Sequence, residues 1–162
     1  IKIGVGLNTG TMTVGNMGSS FRMAYTAMGD AVNLGSRLES ITKQYGVAII
    51  VSEFTKAAVP DYLYRELDKI RVKGKDEPVT IYEPLGPIDS IDQTTKDQLR
   101  QYDAAVVLYA AQKWDEAEAA FNALLAVDDR YLYREVYLHR IAEFREESPG
   151  ENWDGVYTWK TK

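Results

Sequence analysis

From Ile1 to Leu7, apolar Ile1, Ile3, Val5 and Leu7 alternate with Lys2, Gly4 and Gly6, the period of two expected of a strand with one buried face. Asn8-Thr9-Gly10 then turns the chain. Thr11 to Val14 reads as a second short strand, and Gly15 to Ser20 has the Gly, Asn and Ser chemistry of a tight loop, so a hairpin is predicted. Gly29 breaks the chain again, and Asp30 reads as the N-cap of a helix running to about Tyr45 and closed by Gly46. Leu34, Leu38, Ile41 and Tyr45 give that helix a core-facing stripe. Val47 to Val51 fits a covered strand. Ser52 caps a short helix through Val59, and Pro60 stops it. Leu63 to Val72 and Pro78 to Leu85 predict two strands joined by Lys73-Gly74-Lys75-Asp76-Glu77.

Gly86-Pro87 marks a candidate boundary, because the pattern changes there from strand-like to helical. Two units follow, 1–86 and 87–162. In the second, Leu99, Tyr102, Val106 and Tyr109 share one helical face, and Ala117, Ala120, Phe121 and Leu124 share another. Joined at Gln112 to Asp115, these two helices resemble a single tetratricopeptide-type hairpin, with a third helix expected from about Tyr131 to Glu147. Such repeats usually need about three copies to bury their own faces. The hairpin is therefore expected to dock on the α/β part or on a second subunit.

Composition narrows the function. The 24 acidic side chains outnumber the 19 basic ones, for a formal net charge of -5, which offers no electrostatic footprint for nucleic acid or an anionic membrane. Cysteine is absent, so thiolate chemistry is excluded and a reducing, cytoplasmic setting is expected. No apolar run approaches the ~20 residues of a membrane span, so this segment is expected to make no direct membrane contact.

Two constellations carry candidate chemistry. Asn33 and Arg37 stand one turn apart on one helical face, and a guanidinium fork suits the charge that spreads over phosphoryl oxygens in a transition state. Spacing alone favours the plainer reading, a solvated Asn and an Arg paired with a carboxylate such as Glu39. Arg71, Lys73 and Lys75 alternate, which puts three cations on one side if the strand stays regular. That cluster suits a triphosphate, or else protects an edge strand by charge. Gly4-x-Gly6-x-x-x-Gly10 lacks the spacing and the following helix of a dinucleotide fingerprint, and Val72 to Asp76 lacks the glycines and hydroxyl of a P-loop. His139, the lone histidine, reads as structural.

Taken together, Ile3-Gly4-Val5-Gly6-Leu7-Asn8-Thr9-Gly10, Val14-Gly15-Asn16-Met17-Gly18-Ser19, Tyr25 through Glu39 and Val72-Lys73-Gly74-Lys75 resemble the class III adenylyl and guanylyl cyclases. The resemblance implies an α+β, ferredoxin-like cyclase fold with its N-terminal part missing, followed by the all-α, tetratricopeptide-like segment. It also implies conversion of ATP to 3′,5′-cyclic AMP and pyrophosphate in intracellular signal transduction. Asn33 looks like the family's ribose-orienting residue, Arg37 like its transition-state arginine, and Lys73 like its triphosphate-binding lysine, with Lys75 a weaker candidate. Thr26 falls at the base-reading position, where a subset of adenylyl cyclases has Thr and guanylyl cyclases typically have Cys, so ATP is favoured over GTP.

Family sites form between two protomers, which implies a homodimer. They use two Mg²⁺ or Mn²⁺ ions, whose Asp ligands are expected upstream of Ile1, so the chain alone is expected to be inactive. The helical segment, ending near Trp153-Asp154-Gly155-Val156, is similar to extensions of bacterial multi-domain cyclases, some of them membrane-anchored. The alternatives are a degenerate module that only dimerises or binds nucleotide, a guanylate cyclase, or a helical interaction module on an α/β scaffold.

Overall fold

The structure, a computed structural model, describes residues 1–159. The end of the expected second unit, 160–162, lies outside the described residues. The main sheet has the order β1 (Val5–Leu7), β4 (Ile49–Ser52), β6 (Val79–Pro87), β5 (Tyr62–Ile70), with β1 parallel to β4 and the other pairings antiparallel. A separate antiparallel hairpin joins β2 (Thr13–Ser19) to β3 (Arg22–Met28). Helices α1 (Asp30–Ser40), α2 (Thr42–Tyr45) and α3 (Glu53–Ala58) complete the α/β part.

The first strand covers the face opposite to the one its alternation suggests. A Cβ on Gly6 would lie 2.3 Å from the Glu39 backbone nitrogen and 2.4 Å from the Gly35 carbonyl oxygen, so α1 seats directly on the glycine face. Ile1, Ile3 and Leu7 are exposed on the other. Period two separates two faces without saying which is covered. Here the smaller residues admit a helix backbone, and that closeness decides the matter.

The loop expected at Gly15 to Ser20 is largely strand, since β2 runs through to Ser19. Gly15 pairs with Thr26 and Gly18 with Met23. A Cβ on Gly18 would stand 2.1 Å from the Arg22 carbonyl oxygen, at φ +125, so a close cross-strand approach requires this glycine.

Asp30 is not the N-cap of α1. Gly29 occupies that place at φ 134 and ψ 170, with no side-chain cap, and Asp30 lies in the first turn, where its carboxylate complements the helix dipole. The predicted helix is also split, because Ile41 (φ -98, ψ 1) separates α1 from α2. Gly46 closes the pair in the left-handed region as expected, and Leu34, Leu38 and Tyr45 are buried. Ser52 caps α3, accepting from the Thr55 N–H at 3.3 Å.

After a 3₁₀ turn at Ile88–Ser90 come α4 (Gln93–Ala110) and α5 (Trp114–Leu125). A π-helical stretch at Leu132–Leu138 runs on into α6 (His139–Glu146). Leu99, Tyr102 and Tyr109 are buried on α4, as are Ala117, Phe121 and Leu124 on α5. The α4 face packs on β5, whereas α5 packs on α4, the π-helical stretch and α6. The Tyr102 hydroxyl donates to the Glu66 carbonyl, the Tyr137 hydroxyl to the Leu67 carbonyl at 2.8 Å, and Arg140 Nη2 to Asp68 Oδ2 at 2.8 Å. Asp68 also accepts from the Tyr45 hydroxyl at 2.7 Å. One continuous core results, from Leu34 on α1 to Ile141 on α6.

Candidate active site

Burial of Leu34 and Leu38 against the sheet turns the other side of α1 outward, and Asn33 and Arg37 are both exposed there, one turn apart. Arg37 does not pair with Glu39. Its Nη1 donates to the main-chain carbonyl of Arg71, just beyond the end of β5.

At that point the ladder between β5 and β6 ends at Ile70↔Val79. The chain turns instead of continuing as strand: the Lys75 N–H donates to the Val72 carbonyl at 3.1 Å, and Gly74 takes φ +82. Arg71, Lys73 and Lys75 therefore do not form one row of cations, because the regular strand that the row needs stops at Ile70. Arg71 pairs with Asp154 instead. Lys73 and Lys75 line a cleft of about 320 Å³ whose other walls are Asn8 to Thr11, Asp30 and Phe54. The Lys75 ammonium lies 4.7 Å from the centre of the Phe54 ring.

Asn8 fixes the base of this cleft. Its Nδ2 donates to the Ala31 carbonyl at 2.8 Å, and its Oδ1 accepts from the Ser52 hydroxyl at 2.5 Å, so one side chain ties the ends of β1 and β4 to the start of α1. Two ammonium groups beside a helix N-terminus favour an anion, and the Asp30 carboxylate on the rim opposes it.

Of the sequence candidates, the structure brings Lys73 and Lys75 into one cleft. Arg37 bonds to the Arg71 carbonyl, one residue before the lining residue Val72, and both Arg37 and Asn33 are outside the cleft lining. Thr26 stands exposed on β3, opposite Gly15 on β2 and away from the cleft lining. His139 faces Glu143 on α6 at 3.9 Å. Among the described residues, no group of three or more His, Asp or Glu side chains could hold a metal ion. Sequence reasoning missed three contributors. Asn8 was read as a turn residue within the Ile3-to-Gly10 motif and given no contact of its own, the Arg71 carbonyl carries no side-chain signal, and Asp154 belongs to the Trp153-to-Val156 run that had no assigned role.

The family model for the adenylate and guanylate cyclase catalytic domain matches residues 1–83. The terminal-differentiation-specific adenylate cyclase of Dictyostelium discoideum is 36% identical over 127 residues, covering 75% of this chain and 6% of that protein. An adenylate cyclase of Anabaena cylindrica is 42% identical over 87 residues, 51% of this chain and 17% of that protein. Among solved structures, the adenylyl cyclase CyaB from P. aeruginosa is 39% identical, with a TM-score of 0.45 over 54% of this chain and 44% of that one. The chain thus spans 6% and 17% of the two curated relatives.

Proposed function

Since this chain belongs to the adenylate and guanylate cyclase catalytic domain family, we propose that it supplies the substrate-binding and transition-state half of an adenylate cyclase acting in intracellular signal transduction. The reaction forms a bond from the ribose 3′-oxygen of ATP to the α-phosphorus. The bond from that phosphorus to the α–β bridging oxygen breaks, pyrophosphate leaves, and the hydroxyl proton passes to solvent. Lys73, with Lys75 beside it, holds the triphosphate in the cleft. Asn33 orients the ribose. Arg37 stands one turn further along α1 and stabilises charge developing on the phosphoryl oxygens, the kind of electrostatic term that acts only in the transition state. Thr26 accepts a hydrogen bond from the adenine amine, which favours ATP over GTP.

The observation that carries this reading is the exposed Asn33–Arg37 face of α1 meeting the cationic loop through the Arg71 carbonyl. The family uses divalent metal ions in general, but the described residues offer no ligand set that fits one. We therefore assign the carboxylates for Mg²⁺ or Mn²⁺ to another part of the parent protein, facing Asn33 and Arg37 across a homodimer interface. The segment 1–86 is assigned to the catalytic domain and 87–162 to a helical extension of bacterial type. A cytoplasmic location agrees with the absence of cysteine, and no helix among the described residues is long and apolar enough to cross a membrane.

Arg37→Ala in the complete parent protein tests the reading. Turnover of ATP should fall by about 10²-fold or more, with a smaller change in KM. Near-normal turnover removes Arg37 from this role, whereas a parent that binds ATP and makes no cyclic AMP is the degenerate module.

A further inference from the structure

The Trp153-to-Val156 turn lies far from the cleft in sequence and is bonded to its edge in space. Trp153 is anchored in the helical part: its ring lies 5.4 Å from Tyr109, 5.1 Å from Phe144 and 6.2 Å from Trp114, centre to centre. Its Nε1 donates to the Val156 carbonyl at 2.8 Å. Asp154 Oδ1 accepts from the Val156 N–H at 3.0 Å, which leaves Oδ2 for the Arg71 guanidinium. The backbone N–H of Val156 is the main cause that holds the Asp154 carboxyl below its usual range; slight burial opposes it and Arg71 adds to it. Gly155, at φ +87, packs on the Lys69 stem, where a Cβ would sit 3.3 Å from Cδ.

Arg71 is therefore held from two sides. Its side chain reaches Asp154, and its carbonyl accepts from Arg37. The sheet cannot hold this peptide, because the β5–β6 ladder ends one residue earlier at Ile70↔Val79. An exposed arginine loses about 2 kcal/mol of rotamer entropy when fixed. A main-chain acceptor that is itself fixed removes part of that loss before substrate arrives.

We propose that Asp154 and Arg71 are positioning residues, through which the helical extension holds the acceptor that aims Arg37. This rests on the adenylate cyclase reading of Arg37. A rigid aromatic anchor in the tail thereby acts on a side chain of the catalytic helix, although no residue of the tail lines the cleft.

Steady-state kinetics on the complete parent protein tests it. Asp154→Asn and Arg71→Ala should each lower kcat about threefold to tenfold, with KM changed less than twofold. The double variant should lose no more than the worse single one, because the two groups act in series. In an Arg37→Ala background, Asp154→Asn should cost nothing further, and Arg71→Lys, which keeps the charge, should retain most of the turnover. Unchanged kcat in both single variants would overturn the proposal. So would an equal loss in the Arg37→Ala background, a raised kcat, or a rise in KM alone. If Arg37→Ala itself leaves turnover intact, it is the adenylate cyclase reading that fails.

Discussion

The hairpin β2–β3 and the helical part place large apolar side chains in opposite ways. In the hairpin, Phe21 is 96%, Tyr25 76% and Met23 65% exposed. In the helical part, Tyr102, Phe121, Tyr133 and Tyr137 are each at most 2% exposed, with Phe121 stacked on Tyr137 at 4.7 Å. Both segments are rich in aromatic and aliphatic residues, so composition does not separate them. The difference is a second layer. The helices close over β5 and over one another, whereas among the described residues the two-stranded ribbon contributes nothing to the buried core. No residue of the packed helical part is proposed to touch substrate, whereas exposed segments carry the proposed roles of Thr26, Asn33 and Arg37.

Breaking the seam between the α/β and helical parts should have the largest effect on stability. Arg140 and Asp68 are 1% and 4% exposed at their side chains, and Tyr157 lies over the guanidinium at 4.2 Å. Removing one partner leaves the other charge buried and unpaired, so Arg140→Ala should cost about 3–5 kcal/mol, read as a shifted denaturation midpoint. A shift below about 1 kcal/mol would mean that water reaches Asp68 at no penalty. By contrast, replacing Phe21 on the hairpin with Ser should move the midpoint by less than about 0.5 kcal/mol. The pair of results would sharpen the contrast between a packed tail and an open hairpin.

The seam was also the least legible part of the chain. Leu34, Leu38, Ile41 and Tyr45 could be read as a buried stripe because helical spacing is local, and the faces of α4 and α5 followed for the same reason. Asp68 and Arg140 are 72 residues apart, and nothing in the spacing of either announces the other. The first strand was legible as a strand but not in its orientation, since two alternating faces look alike until a helix is laid on one. Within the candidate site, side chains could be nominated from their types, but the acceptor for Arg37 is a main-chain carbonyl that any residue would provide. The straight row of Arg71, Lys73 and Lys75 failed because the strand ends at Ile70.

Glycine at the α1–β1 contact tests that orientation directly. A methyl group at Gly6 meets three backbone atoms of α1 within 2.9 Å, and none of them belongs to a flexible side chain. Gly6→Ala should therefore push α1 off the strand and cost about 3 kcal/mol. Gly15→Ala, where nothing stands within 4 Å of the added carbon, should cost less than about 0.5 kcal/mol. Equal effects of the two substitutions on the denaturation midpoint would mean that α1 does not rest on the glycine face.

The hairpin's proposed reading of the base should show in selectivity and hardly at all in stability. Thr26 sits mid-strand on β3, exposed and opposite a glycine, so no cross-strand side chain competes for its hydroxyl. Thr26→Val keeps the β-branched shape and strand propensity and removes only the polar atom. Folding stability should hardly change. If the hydroxyl accepts from the adenine amine, the substitution removes one hydrogen bond made to ATP and not to GTP. The ratio of kcat/KM for ATP over GTP in the parent protein should then fall by about 1 kcal/mol, or roughly fivefold. An unchanged ratio, with Arg37→Ala still inactivating, would detach base recognition from the hairpin and leave the phosphoryl chemistry on α1 where it is.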